Sequence, residues 1–208
     1  MKDYLNQNTN ALLEEFWKFS KETEKMIEEM SLPIIIGDYV EKLGLNVVYD
    51  ELYLFDQNKR DFGMISTKTI YVNPNISYKE QRWVIAKAVA IFLNDYNTEN
   101  GDILGEGIFS IGNPFLVSRN VEEFYLDSLA TLLLLPITLF KREVSENIEK
   151  SDDLLQHLSD RVQIPLFQLS IGYQLIKQMI CYQRKKEFEK CNYDVELMPS
   201  EEYEDIFL

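Results

Sequence analysis

A single histidine, His157, stands among 208 residues, and that scarcity limits the chemistry before any pattern is sought. A catalytic or metal site that needs two histidines cannot form within one copy of the chain. The two cysteines, Cys181 and Cys191, are ten residues apart with no C-x-x-C pair, which excludes a disulfide scaffold and a zinc knuckle. Positive charge is scarce as well. Lys and Arg number 21 against 35 Asp and Glu, for a formal charge of −14, so the chain as a whole repels a duplex whose binding depends on phosphate neutralisation. Long apolar runs are also missing. The longest, Leu126 to Phe140, is interrupted by Asp127, Ser128 and Pro136 and falls short of the roughly 20 residues of a membrane span. It reads as a buried helix. The polar stretch Met1 to Asn10 lacks the apolar segment of a signal peptide, which points to the cytoplasm.

What is present is unevenly distributed. Residues 1–140 carry 12 basic and 21 acidic side chains, residues 141–190 carry 9 and 8, and residues 191–208 carry 0 and 6. This suggests an N-terminal helix (1–30), a main domain (31–140), a near-neutral helical extension (141–190) and an acidic tail (191–208). The tail mixes its acids with Leu197, Met198, Tyr203, Ile206, Phe207 and Leu208, the composition of a solubilising tail or of a short docking segment.

Periodicity predicts the elements. Leu12, Leu13, Phe16, Phe19, Met26 and Ile27 recur at helical spacing between Asn10 and Met30. Pro33 suits the first turn of a second helix with an apolar face of Ile34, Ile35, Tyr39, Val40 and Leu43, ending at Gly44. The period then shortens to that of strands at Leu45–Tyr49, Leu52–Phe55, Phe62–Ser66 and Thr69–Val72, with Asp56–Asp61 as a polar turn. Ser77 and Glu80 form a capping box ahead of a helix from Arg82 to Leu93 that is apolar nearly all round. Gly101, Gly105, Gly107, Gly112 and Pro114 mark a loop over 97–120, with an extended piece at Ile108–Ile111. Helices follow over Val121–Leu135, Thr138–Ile148, Asp152–Val162 and Pro165–Glu189. The fold class is therefore α+β: a small antiparallel sheet packed on a buried helical core, with a helical C-terminal extension.

This order of elements, with Arg82-Trp83-Val84-Ile85-Ala86-Lys87-Ala88-Val89-Ala90-Ile91 on the central helix and Glu123 to Pro136 on the next, resembles the ImmA/IrrE zinc metallopeptidases over about residues 33–176. In that family the central helix reads R-F-T-I-A-H-E-L-G-H and the next E-x-x-A-N-x-F-A-A-x-L-L-M-P. The resemblance implies a zincin-like fold in which Lys87 and Ile91 stand where two zinc-binding histidines would be. Ala88 takes the place of the general-base Glu, Glu123 that of the third ligand, and Asp127 that of the Asn. Physical chemistry gives the consequence. Two His at i and i+4 chelate zinc from one helix face; an ammonium and an aliphatic carbon do not, and a charged Lys87 repels a divalent cation. Ala88 takes no proton from water. Zinc is not expected as a cofactor, and the family's peptidase reaction is excluded.

The expected remnant is a buried ion pair of Lys87 with Glu123, the ammonium replacing the metal's charge. The alternative has Lys87 reaching solvent along its stem and Glu123 decorating its helix. Trp83, with Ile70 and Val72 of the preceding strand, would line a groove for a protein partner. By resemblance to relatives that cleave phage or mobile-element repressors, that partner is a repressor or an active peptidase. Two other readings are weighed beside this one. An enzyme with a relocated acid or metal site would draw on Asp95, Asp102, Glu106 and Glu123. A DNA-binding regulator would use the helical pair over 152–178, although Leu166-Phe167-Gln168-Leu169 is too apolar to read base edges. His157 reads as a satisfied structural histidine, and Arg184-Lys185-Lys186 as a solvated helix end.

Overall fold

The computed structural model describes residues 2–50, 55–56, 59–60, 63–66, 68–96, 108–111, 121–147 and 154–190. The elements in chain order are α1 (Lys2–Glu24), α2 (Ile36–Lys42), β1 (Asn46–Tyr49), β2 (Phe55–Asp56), β3 (Lys59–Arg60), β4 (Gly63–Ser66), β5 (Thr69–Val72), α3 (Tyr78–Tyr96), β6 (Ile108–Ile111), α4 (Val121–Leu134), α5 (Ile137–Asn147), α6 (Leu154–Val162) and α7 (Leu166–Lys190).

The fold is α+β, and the expectation of a purely antiparallel sheet is corrected. Four strands lie in the order β1-β5-β4-β6. β4 pairs antiparallel with β5 and with β6, but β1 pairs parallel with β5, placing Asn46 opposite Thr69 and Tyr49 opposite Val72. The reason is connectivity. Only two residues separate β4 from β5, too few for the crossover a parallel pair needs, so the two strands pair antiparallel. β1 is separated from β5 by a long excursion, and so is free to join the far edge in the same direction. Part of that excursion is a second ladder, β2 with β3, pairing Phe55 with Arg60 and Asp56 with Lys59. It takes Phe55 from the end of the strand expected over Leu52–Phe55 and the rest from the stretch expected to be a polar turn, Asp56–Asp61.

Helix ends follow local chemistry. α2 stops in the manner expected at Gly44, whose φ of +63° suits glycine. The Leu45 N–H donates to Val40 O at 2.9 Å and the Gly44 N–H to Glu41 O at 3.0 Å, the paired bonds of a Schellman turn. Pro33 does not open this helix; it follows a cis bond from Leu32, and the helix begins at Ile36. The capping box of α3 is formed, with the Ser77 N–H donating to Glu80 Oε2 at 2.8 Å and the Glu80 N–H to Ser77 Oγ at 3.4 Å. α5 starts directly after Pro136, and α1 caps it. The Ile137 N–H donates to Ser20 Oγ and the Thr138 N–H to Glu24 Oε1, so a carboxylate meets the positive end of the helix dipole.

One core runs through the described elements. It joins Leu13 and Phe16 of α1, Ile65, Ile70 and Val72 of the sheet, residues 83–86 and 88–92 of α3, Leu129, Ala130 and Leu132–Leu134 of α4, and Leu169, Ile176 and Met179 of α7. The boundary drawn from charge at 140/141 falls inside α5. Among the described residues no single helix is long and apolar enough to cross a membrane. The apolar run from Leu126 is largely buried, and the helices on either side of Leu135-Pro136 are bent by 66°.

Close approach at two glycines sets the spacing of the layers. A Cβ at Gly63 would sit 2.3 Å from Val84 Cγ1, so the sheet lies hard against α3; a Cβ at Gly172 would sit 2.0 Å from Thr131 Cγ2 and 2.7 Å from its Cβ, so α7 lies hard against α4. Alanine is worth about 1 kcal/mol more than glycine in a helix, yet overpacking costs about 1–3 kcal/mol. Gly172→Ala is therefore expected to destabilise the chain by up to about 2 kcal/mol, read as a lower urea midpoint, and Thr131→Gly in the same chain should recover part of the loss. A stabilised Gly172→Ala would show that the helices part without penalty.

Candidate functional site

The central helix enters the core as its sequence requires. From Arg82 to Phe92 every residue but Lys87 is buried, because the helix packs against α4, α2, β4, β5 and β6 together. A helix apolar on all faces is stable in water when it is covered on all faces.

This placement corrects the expected partner groove. Trp83 is 1% exposed, and Ile70 and Val72 are wholly buried. Alternation along β5 turns Ile70 and Val72 toward the core, and Trp83 comes down on the core side of α3. The three are packing residues and line no open surface. Ala88 is buried and Ile91 is 4% exposed, so the positions that the resemblance marks as reactive are closed over by neighbouring side chains.

Lys87 is the exception within the helix. Its ammonium lies 2.8 Å from Asp127 Oδ1 on α4, with the lysine side chain 15% and the aspartate side chain 3% exposed. The alternative in which Lys87 extends into solvent is not what the structure shows. The partner observed is Asp127, one helical turn beyond Glu123, whose side chain lies outside the described residues. Asp127 is the acid that breaks the apolar run of α4; its placement in an otherwise apolar helix was the signal available in the sequence. The Thr131 hydroxyl donates to the Asp127 carbonyl at 3.0 Å, and Thr131 in turn faces Gly172. Where α4 meets α3 and α7, polar and close-packed contacts thus follow one another along a single helix.

A buried cation earlier on the same helix was not foreseen. Arg82 is 5% exposed; its Nη2 donates to Ile34 O at 2.9 Å and to Val162 O at 3.3 Å, and its Nε donates to Gln163 O at 3.3 Å. The planar fork thus binds carbonyls of two separate segments. Two of them lie at the C-terminal end of α6, where carbonyls lack helical partners and a cation is favoured. Gln163 has a φ of 60°, the left-handed turn that ends α6. The Tyr78 ring lies 5.9 Å from the guanidinium carbon. Lys79 supports the same junction, donating to Asp160 Oδ1 at 2.7 Å and holding that carboxyl below the usual aspartate range.

The other named candidates separate. Asp95, Asp102 and Glu106, like Glu123, have side chains outside the described residues. Among the described residues no group of three His, Cys, Asp or Glu side chains is placed to hold a metal ion. His157 is half-buried on α6, and its Nε2 has no hydrogen-bond partner among the described residues, so a fully satisfied histidine is not what is seen at that atom. Cys181 is half-buried and free, while Cys191 lies outside the described residues. On the helical pair α6–α7, Leu166 and Phe167 are each 42% exposed while Gln168 is 1% and Leu169 is 0% exposed. The first turn of α7 therefore presents carbon to solvent and buries its one amide, the reverse of a base-reading helix. At the far end of α7, Lys186 pairs with Glu14 of α1, so the basic cluster there is in part a helix-to-helix contact.

The Lys87–Asp127 pair predicts a specific coupling. Removing one partner of a buried pair costs about 3–5 kcal/mol, so Asp127→Leu alone or Lys87→Met alone should lower unfolding free energy by about 3 kcal/mol. Lys87→Met with Asp127→Leu should lie well above the sum of the single losses. Urea unfolding of the four proteins in a double-mutant cycle gives the coupling, expected at about 1–3 kcal/mol; additive single effects would show that the pair does not hold the helices.

Comparison with protein-family models, with curated proteins and with solved structures returned no match for this chain.

Proposed function

We propose that the chain is a non-catalytic, protein-binding regulator in the cytoplasm, built on a degenerate ImmA/IrrE-type zincin-like scaffold. The observation that carries the reading is the Lys87–Asp127 contact at 2.8 Å between α3 and α4. It joins the two helices that the resemblance assigns to metal binding, through the position of the first histidine, by a pairing that needs no metal. An ammonium there supplies one positive charge to a buried carboxylate and competes directly with a cation. Ala88 beside it offers no base, so hydrolysis by the family's route has no proton acceptor at that place.

Protein binding is favoured by the surface around Arg82. Ile34, whose carbonyl the guanidinium binds, precedes Ile35, which is 55% exposed; the stacked Tyr78 is 62% exposed; Leu166 and Phe167 follow the Gln163 turn by three and four residues. Four of the exposed large hydrophobics thus belong to segments that Arg82 holds together. Exposed apolar groups gathered in this way mark interaction surfaces more often than isolated ones do. The partner proposed is a mobile-element repressor or an active peptidase of the same type, which the chain would sequester or obstruct.

Two measurements test the reading. Elemental analysis of the full chain, purified without chelators, should find far less than one zinc per chain; stoichiometric zinc would sink it. Restoring ligands tests the scaffold itself. Lys87→His with Ile91→His should bind cobalt(II) with a tetrahedral visible spectrum that is lost when Glu123→Gln is added. A folded double variant whose cobalt binding ignores Glu123 would remove the resemblance to a metallopeptidase site.

A further inference from the structure

A groove of about 480 Å³ lies between α1, α4 and α7. Leu12, Leu13, Phe124, Ile171 and Leu175 supply its apolar lining, and Ser170, Gln174 and Gln178 its polar rim. Leu13 and Leu175 are buried beneath it while Phe124 is 41% exposed. The volume is within the range of ligand sites, and the lining offers dispersion contacts with few fixed polar groups to orient a small molecule. Such a site suits apolar side chains delivered on a peptide.

We propose that the occupant is the chain's own acidic tail, with Tyr203, Ile206 and Phe207 seated in the groove. Three features of the chain support this assignment, and none depends on the pseudo-peptidase reading. The first is reach. Gln174 lies sixteen residues before the last residue of α7, Lys190, about 24 Å at 1.5 Å per residue. An extended chain returns over that distance in about 7 residues at 3.3 Å each, which brings residues from about 198 onward level with the groove and leaves Tyr203 to Phe207 with slack. The second is pattern. Tyr203, Ile206 and Phe207 are spaced i, i+3, i+4, so one turn of helix puts all three on one face. The third is charge. The 18 residues from 191 to 208 hold six acids and no base, and the return path along α7 passes Arg184, Lys185 and Lys186. Lys185 continues the helical line Gln174, Gln178, Cys181 that leads out of the groove. On the opposite wall the α1 acids are engaged, Glu14 with Lys186 and Glu15 with the Tyr125 hydroxyl. An acidic peptide laid along α7 therefore meets Arg184 and Lys185, with Lys186 already paired to Glu14.

Docking of the tail covers an apolar groove from solvent and, in the same act, withholds it from other proteins. The contact is tested in the full chain. Phe207→p-benzoylphenylalanine, irradiated in an equal mixture of 15N-labelled and unlabelled protein, should cross-link within one chain to Ser170–Gln178 or Leu12–Leu13. The yield should fall at least fivefold with Ile171→Glu and also in 1 M salt. In parallel, Tyr203→Asp, Ile206→Asp and Phe207→Asp combined should raise 1-anilinonaphthalene-8-sulfonate fluorescence at least threefold with the far-UV circular dichroism unchanged. Cross-links that join labelled to unlabelled chains would give the groove to a second copy and overturn the proposal. Cross-links to other parts of the chain, or dye binding equal in the variant and the parent, would overturn it as well.

Discussion

Ten of the eleven residues from Arg82 to Phe92 are withdrawn from water, and a helix with no wet face must be enclosed. Each fully buried Val, Ile or Phe there contributes roughly 1.5–3 kcal/mol, provided that something apolar lies against it. The sheet covers α3 through β4 and β5, at a distance that Gly63 makes possible; α4 covers another side and α2 a third. The remaining helices then have their places set by contacts to this assembly, α7 and α1 against α4, and α6 against α7. The architecture is in this sense a solution to the problem of burying one helix.

Two cations are the points at which that solution is not purely apolar, and they are handled differently. Arg82 is bound by backbone carbonyls, which need no further charged residue and tie the loop before α2 to the turn between α6 and α7. Lys87 is bound by a carboxylate, which holds α3 and α4 in one register because neither charge can be left alone in the core without a large desolvation penalty. A hydrocarbon at position 87 would bury as well and specify less. The charged pair is a sufficient structural device in its own right.

Arg82 binds together segments that carry exposed apolar groups, and the groove between α1, α4 and α7 begins one turn along α7 from Leu166 and Phe167, where the Ser170 hydroxyl donates to Phe167 O. Trp83, Ile70 and Val72 belong to neither, since they are spent in the core. A residue's being large, aromatic and next to a motif did not decide whether it faced out.

The division between sequence and tertiary structure follows the range of the forces involved. Local interactions were legible in the chain: the capping box at Ser77 and Glu80, the stop at Gly44, the two-residue separation of β4 from β5, and the break at Pro136 all act within a few residues. So was the absence of metal-ligating chemistry at Lys87 and Ile91, because a side chain's ability to ligate is a property of its type. Pairing across the fold was not legible. The parallel docking of β1 on β5, the choice of Asp127 for Lys87, the carbonyls that receive Arg82 and the burial of Trp83 each depend on which element arrives alongside. That is decided by covering α3 as a whole, a constraint that no single stretch of sequence carries.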